Sequence, residues 1–247
     1  MMSFFVSPLR FGSRKLRTGR TQHHLRLHPI ITTKYIAMSS NDRFLDRVFA
    51  AKSKDESGQL YDQWASSYDA DMQTYSFTAP QIVAEMVPKY LKVSPKDAVV
   101  VDAGCGSGLV GVTLHQSGFK TIDGLDLSEG MLKVAEKTGA YRKLEVTDLT
   151  QRLNIEDGTY DGLTCSGTFT HGHVGPEPLP EPVRIVKAGG ILVATILESF
   201  WKECDFEMVV KGLEERGMVE MLENNLHSYR KFEDEESGGL VLVLRKL

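Results

Sequence analysis

The chain has 247 residues, enough for one sizeable α/β domain with a small appendage. Its composition is that of an ordinary globular protein, and no apolar run approaches the ~18 residues of a membrane-spanning helix, so we expect no membrane partner. The three cysteines form no CxxC pair, which fits a reducing compartment and argues against a disulfide framework or a bound metal.

The net charge of −4 is unevenly distributed. Residues 1–37 contain seven Lys or Arg and no Asp or Glu, which leaves 22 basic and 33 acidic residues in the remainder, a net charge of −11. This acidic remainder argues against nucleic acid as the main partner.

Residues 1–37 have the Arg-rich, acid-free composition of an organelle transit peptide. Met38 is an equally good translation start, in which case everything upstream is an untranslated extension. We expect a mitochondrial or other organellar location if residues 1–37 are translated and a cytoplasmic one otherwise. In both cases we expect them to be disordered and outside the fold.

Residues 38–94 are predicted to form a unit of helices. Apolar residues recur at helical spacing in three stretches, and Pro80 suits the first turn of the third, which Pro88 is expected to kink or shorten. The stretches are Phe44, Leu45, Val48, Phe49; Leu60, Tyr61, Trp64, Tyr68; and Ile82, Val83, Met86, Val87, Tyr90, Leu91.

Residues 95–247 alternate between strand and helix patterns, which predicts a doubly wound, Rossmann-like parallel sheet. Strands are predicted at 98–102, 121–126, 143–146, 159–165 and 190–197, and helices at about 108–117, 128–137, 178–187 and 203–216. The tail has strand patterns at Met218–Met221, Leu226–Phe232 and Leu240–Leu244, with Glu233–Gly239 as a polar turn. Since no helix separates these last strands, we expect an antiparallel hairpin.

A glycine-rich loop follows the first strand, in Asp102-Ala-Gly104-Cys-Gly106-Ser-Gly108. Such a loop lets a ligand lie against bare backbone, and the segment also satisfies the dinucleotide pattern GxGxxG. We expect the Asp102 carboxylate to face the ligand, where it would repel a pyrophosphate and attract the sulfonium and ammonium groups of S-adenosylmethionine. The loop therefore favours S-adenosylmethionine over NAD.

Acidic residues end the next two strands. Asp126 is expected to accept hydrogen bonds from the ribose hydroxyls, although it also suits the start of the helix at 128–137. Asp148 and Leu149 are expected at the adenine ring, unless they form a solvated turn. Leu127 and Met131 would either wall the adenine or belong to the core.

These motifs together resemble those of class I S-adenosylmethionine-dependent methyltransferases. The resemblance covers about residues 95–197 well and 198–247 loosely, and Tyr160-Asp-Gly and Lys187-Ala-Gly-Gly-Ile-Leu contribute to it. Tyr61-Asp-Gln-Trp-Ala-Ser-Ser-Tyr-Asp69 and Gly172-His-Val resemble the methyltransferase-like proteins of the Williams–Beuren syndrome region group. The resemblance implies a seven-stranded sheet with an antiparallel last strand and a helical cap over the cofactor cleft.

The resemblance also indicates which residues lie near the methyl group that is transferred. Tyr68 is expected to line the methyl-donor pocket, where an aromatic face attracts a sulfonium, while Tyr61 and Trp64 either do the same or pack the cap. In the loop after the fourth strand, Ser166 is a candidate for the methionine carboxylate. In the same loop, His171 and His173 are candidate general bases, or ordinary surface histidines.

The function predicted is in-line methyl transfer to a small-molecule acceptor. The loop after the fourth strand lacks the Asn/Asp-Pro-Pro-aromatic tetrad of enzymes that methylate adenine or glutamine amides, which argues against those substrates. Two alternatives remain open at this point, a non-catalytic S-adenosylmethionine-binding module and an NAD-linked oxidoreductase. The oligomeric state is not determined by the sequence.

Overall fold

The computed structural model describes residues 42–232 and 235–247. The predictions for residues 1–37 lie outside this described part. Within it, no helix has both the length and the apolar character needed to cross a bilayer.

The centre of the protein is a seven-stranded sheet. Its strands are β1 (Val99–Ala103), β2 (Thr121–Asp126), β3 (Lys143–Val146), β4 (Tyr160–Phe169), β5 (Val186–Leu197), β6 (Val219–Phe232) and β7 (Glu235–Lys246). They lie in the order β3-β2-β1-β4-β5-β7-β6. Strand β7 runs antiparallel to both of its neighbours, β5 and β6, and the other six strands all run in the same direction. This confirms the predicted Rossmann-like sheet, mostly parallel with an antiparallel last strand.

Nine helices surround the sheet in the described ranges. They are α1 (Asp42–Phe49), α2 (Lys54–Trp64), α3 (Tyr68–Thr74), α4 (Ala79–Tyr90), α5 (Leu109–Gln116), α6 (Glu129–Lys137), α7 (Pro180–Ile185), α8 (Glu198–Glu203) and α9 (Phe206–Glu215). Consecutive residues of β1 show the layering, because Val100 packs into the core under α4 and α5 while Val101 packs into the core under α7 and α9. Both faces of the strand are buried, which explains its unbroken run of valines.

The segment predicted as a helical cap contains two kinds of helix. Val83 and Val87 of α4 belong to the same core as Val100, so α4 covers a face of the sheet. Helix α2 instead lies at the carboxyl ends of the strands, where Asp62 accepts hydrogen bonds from Ser128 Oγ (2.6 Å) and Gly130 N (2.7 Å) at the start of α6. The division of the chain at residue 94 remains a prediction.

The prediction of one helix through Leu60, Tyr61, Trp64 and Tyr68 is wrong, because this stretch forms two helices. Helix α2 ends at Trp64 and α3 begins at Tyr68, after Ala-Ser-Ser, a stretch in which serine hydroxyls compete with the helical backbone bonds. Tyr61, Trp64 and Tyr68 therefore do not share one helical face. Their rings nevertheless meet, with centroids 5.9 Å apart for Tyr61–Trp64 within α2 and 4.8 Å apart for Trp64–Tyr68 across the break.

Other boundaries also differ from the prediction. Helix α4 continues to Tyr90 through Pro88, and the hairpin pairs residues that were assigned to its turn, from Phe232↔Glu235 onward. The predicted helix at 203–216 begins three residues later, as α9, because Asp205 adopts a left-handed conformation (φ 54°) that separates it from α8, a helix that was not predicted. Strand β4 extends four residues past Cys165, with a register shift before Phe169, so the expected loop there is partly strand.

Candidate functional site

A cavity lies between the carboxyl ends of the central strands and helices α2 and α3. Its volume, counted out to its mouth, is about 780 Å³. Most of the predicted site residues line it, namely Tyr68, Gly104, Gly106, Asp126, Leu127, Met131, Asp148, Leu149, Ser166 and His173. Asp102, Gly108 and His171 do not. We call this space the donor cavity.

The glycine loop forms one wall of the donor cavity. Gly104 and Gly106 have φ values of 73° and 52°, a region that favours glycine. A Cβ on Gly104 would lie 2.1 Å from Thr168 Oγ1, whereas one on Gly106 would meet no atom within 4 Å. The backbone at Gly106 thus borders open space, and a ligand can lie directly against it. Gly108 has a different role, because it packs against Tyr141 and Ala135 behind the loop.

Asp126 lies at the end of β2 and faces the donor cavity. Its Oδ2 accepts a hydrogen bond from Gly106 N (2.8 Å) and its Oδ1 accepts one from Ser128 N (2.9 Å). Burial raises the pKa of this carboxyl, and the backbone hydrogen bonds oppose the rise. Each oxygen keeps acceptor capacity, so two hydroxyl groups of a ligand can be bound here.

Asp102 does not face the donor cavity, and the prediction that it does is wrong. The side chain is fully buried, its Oδ1 accepts from Thr164 Oγ1 (2.9 Å) and its Oδ2 accepts from the Tyr141 hydroxyl (2.7 Å). Burial raises the pKa of Asp102 to about 6, although both hydrogen bonds lower it. The carboxylate lies behind the glycine loop, where its partners hold β1, β4 and the segment before β3 together.

Asp148 lines the donor cavity but is already engaged. It pairs with Lys54 of α2, and its Oδ1 accepts from Thr150 N (2.9 Å) and Thr150 Oγ1 (2.6 Å). Burial would raise the pKa of Asp148, but the hydrogen bonds from Lys54 and Thr150 outweigh it and lower the pKa. The Lys54–Asp148 pair joins α2 to the edge of the sheet at this cavity.

Three apolar side chains and one buried hydroxyl complete the lining of the donor cavity. Leu127, Met131 and Leu149 are its apolar lining. The Ser166 hydroxyl is buried and has no hydrogen-bond partner, so a polar ligand group at this position would satisfy it. Asp69 at the start of α3 accepts from Ser107 Oγ (2.5 Å), which ties the glycine loop to the helices above it.

The two predicted histidines are in different places. His171 is 40% exposed and lies 3.6 Å from Glu203, outside the donor cavity. His173 lines the cavity, its Nδ1 is 2.8 Å from the His171 carbonyl oxygen and its Nε2 is 2.8 Å from the Tyr61 hydroxyl. Burial lowers the pKa of His173, so the ring is neutral near pH 7.

The tautomer of His173 follows from these two contacts. A carbonyl oxygen only accepts, so Nδ1 carries the proton and donates it to His171 O. Nε2 therefore holds a lone pair, and the Tyr61 hydroxyl donates to it. Burial raises the pKa of Tyr61 well above its usual range and that of Tyr68 to about 12, so both phenols are neutral at the cavity wall.

A second cavity of about 560 Å³ adjoins the first and shares Tyr61, Tyr68 and Gly167 with it. We call it the acceptor cavity. Its lining is largely aromatic and includes Trp64, which does not line the donor cavity, together with Arg230 of β6. No local pattern in the sequence marks Arg230, Lys54 or Asp62, because each of these side chains contacts a segment that is far away in the chain.

A conserved domain model described as a methyltransferase domain matches residues 101–194. The chain is similar to human Methyltransferase-like protein 27, with 34% identity over 168 residues, which cover 66% of this chain and 68% of that protein. It is also similar to the 18S rRNA (guanine-N(7))-methyltransferase of Arabidopsis thaliana, with 36% identity over 104 residues, which cover 38% of this chain and 35% of that protein.

The fold is shared with solved structures. One is a chain of the complex between the Haloferax volcanii Trm112 methyltransferase activator and its putative methyltransferase, with a TM-score of 0.60 and 18% identity, covering 75% of this chain and 97% of that chain. The glycine loop that borders open space and the acceptor capacity left on both oxygens of Asp126 fit S-adenosylmethionine, the cofactor of the matched domain. The protein is an enzyme that belongs to the class I S-adenosylmethionine-dependent methyltransferases.

Proposed function

We propose that this methyltransferase acts on a small organic acceptor bound in the acceptor cavity. The observation that carries the proposal is the position of that cavity, which is walled by aromatic side chains and meets the donor cavity at Tyr61, Tyr68 and Gly167. A space enclosed by side chains from several helices and strands suits a compact molecule rather than a folded RNA or protein surface.

The donor cavity has a suitable group for each part of the cofactor. S-adenosylmethionine supplies a methyl group already activated on a sulfonium. Asp126 accepts the ribose hydroxyls, the backbone at Gly104 and Gly106 lies against the cofactor, and Ser166 binds its amino-acid end. Leu127, Met131 and Leu149 wall the adenine, with Asp148 beside them.

Tyr68 and Tyr61 lie where the two cavities meet. Because burial keeps both phenols neutral, they bring electron-rich faces to this junction without introducing a charge. An aromatic face attracts a cationic methyl donor and excludes water that would compete with the acceptor. Holding donor and acceptor in line is the main task of such an enzyme, and positioning supplies about 7–11 kcal/mol in favourable cases.

His173 is the general base that the geometry favours, and His171 is not. The Tyr61 hydroxyl donates a hydrogen bond to the lone pair on His173 Nε2. An acceptor hydroxyl that lies against Tyr61 can therefore give its proton to the tyrosine oxygen while Tyr61 gives its own proton to His173. A hydroxyl or carbon acid needs this base, whereas a neutral amine attacks without it. Loss of His173 therefore reports on the class of acceptor.

The competing acceptor is RNA, because one relative is named as an rRNA methyltransferase. A methyl-transfer assay with tritiated S-adenosylmethionine and three fractions of a cell extract (low-molecular-mass metabolites, RNA and protein) separates the candidates. We expect label in the metabolite fraction with the wild-type enzyme and none with Asp126→Ala, which loses donor binding. Label confined to RNA or protein would overturn the proposal.

A further inference from the structure

We propose that the acceptor cavity selects a flat aromatic or conjugated carboxylate, anchored by Arg230. This inference rests on the proposed function and names the class of its acceptor. The observations that carry it are two polar groups without partners on the wall of the acceptor cavity and the aromatic rings around them.

Arg230 projects from β6 into the acceptor cavity, and its Nε is buried without a hydrogen-bond partner. Among the residues that the structure describes, no acidic side chain forms an ion pair with Arg230. It is also the only Lys, Arg or His among the described residues that line this cavity. A half-buried arginine whose Nε is buried without a partner and which has no counter-charge is costly to hold, and an anionic ligand would offset that cost.

Thr170 provides a second, independent sign of a ligand. Its hydroxyl is buried, has no hydrogen-bond partner and lines the same cavity as Arg230. Thr195, on the neighbouring strand, is satisfied, because its Oγ1 accepts from Gly167 N (2.9 Å). A carboxylate matches the unsatisfied pair, because the guanidinium fork donates to both of its oxygens and a hydroxyl can donate to one of them.

The body of the acceptor is indicated by the rings. The guanidinium carbon of Arg230 lies 5.3 Å from the centre of the Phe77 ring and 6.0 Å from that of Phe49. Phe77 in turn meets Tyr229 edge to face, with centroids 6.0 Å apart. Such rings favour a flat apolar body, and they exclude the water that would otherwise screen the charge of the guanidinium.

One cation and one hydroxyl suit a singly charged carboxylate better than a phosphate dianion, which commonly binds several basic groups. The probes are therefore benzoate, cinnamate and 2-naphthoate, each paired with its primary amide of the same shape. Calorimetry at saturating S-adenosylhomocysteine measures the affinity of the intact protein for each pair. We expect the best carboxylate to bind at least tenfold more tightly than its amide.

The variants assign this preference to one side chain. Arg230→Gln should abolish the preference for carboxylate, and Arg230→Lys should retain part of it. Lys231→Gln is the matched control, because Lys231 is the next residue of β6, is 59% exposed and faces Glu236 instead of the cavity. Lys231→Gln should retain the full preference, and unchanged affinity for S-adenosylhomocysteine shows that each variant is folded.

Three results would overturn the inference: equal binding of acids and amides, a preference that survives Arg230→Gln, or tighter binding of phenyl phosphate than of every carboxylate. These results leave the proposed function standing if the tritium assay labels a small molecule. Label confined to RNA or protein instead defeats the proposed function itself, whatever the calorimetry shows.

Discussion

The two cavities of the cleft differ in how they are assembled. The donor cavity takes its polar groups from the ends of β1, β2, β3 and β4, four parallel strands that lie side by side, and from α2 and α3 beside them. The acceptor cavity draws its lining from α1, α2, α3, β4, β5, β6 and β7, segments that span nearly the whole length of the described chain. A cofactor site can therefore be read from local motifs, whereas an acceptor site exists only after the chain has folded.

The two cavities also differ in charge. Asp126 brings a carboxylate to the donor cavity. Lys54, the one lysine among the described residues that line this cavity, is paired with Asp148. The acceptor cavity has the opposite arrangement, since in the described part of the chain its lining includes Arg230 and no Asp or Glu. This contrast matches a cationic methyl donor on one side and an anionic acceptor on the other.

The strongest test of the donor side is Asp126→Ala. One or two charge-assisted hydrogen bonds to the ribose, worth about 1.5–3 kcal/mol each, would be lost, so we expect affinity for S-adenosylhomocysteine in calorimetry to fall by roughly tenfold if one is lost and by up to roughly ten-thousandfold if both are. Asp126→Asn keeps one acceptor oxygen and should lose less. Because Gly106 and Ser128 also donate to Asp126, thermal unfolding must be compared in parallel. An unchanged dissociation constant would remove the ribose assignment.

The second test concerns the contact that joins α2, over the cleft, to the start of α6 beside the sheet. Asp62→Ala leaves the Gly130 amide and the Ser128 hydroxyl without their partner, so we expect the free energy of unfolding to fall by about 1–3 kcal/mol. Asp55→Ala, an exposed change on the same helix, is the control and should cost less. Urea denaturation measures both, and equal losses would argue against a docking role for Asp62.

The third test concerns the Tyr61–His173 pair at the junction. Nitrogen-15 NMR should find His173 protonated on Nδ1, with a pKa below its usual range because the ring is buried. Tyr61→Phe removes a donor to the neutral ring, so the pKa should rise. The lowered pKa also sets how the free energy of unfolding depends on pH. As the pH drops through about 6.5, the unfolded chain binds the proton before the folded chain does, so the free energy of unfolding falls. A proton found on Nε2 would contradict the base assignment.

The smallest effect on cofactor binding is expected from Asp102→Asn. The carboxylate contacts Thr164 and Tyr141 and not the donor cavity, so affinity for S-adenosylhomocysteine should change by less than about threefold. The free energy of unfolding should change more than the affinity does. A pKa of about 6 in the folded protein means that the wild type loses stability as pH rises from about 4 through 6, and the variant should lack this slope. A large loss of affinity would place Asp102 at the ligand after all.

Asp102 and Asp126 show where reasoning from the sequence succeeds and where it fails. Both end buried parallel strands. The cofactor prediction is confirmed, but the argument that the Asp102 carboxylate attracts the cofactor is wrong, so the correct result came from the glycine loop, Asp126 and the resemblance of the motifs. Strand alternation alone does not say which way a terminal side chain points, however, and Thr164 and Tyr141 turn Asp102 away from the donor cavity. The direction of that carboxylate depends on partners that lie 39 and 62 residues along the chain.

The sequence by itself determined the alternation of strands and helices and the glycine loop, and the resemblance of its motifs implied the seven-stranded sheet and the cofactor, because these depend on hydrophobic periodicity and on motifs within a few tens of residues. Only the tertiary structure decided that His173 and not His171 lies in the cleft, that Tyr61 pairs with it, and that Arg230 enters an aromatic cavity. These outcomes depend on packing between α2, the segment after β4 and β6, and contacts at such separations leave no periodic trace in the chain.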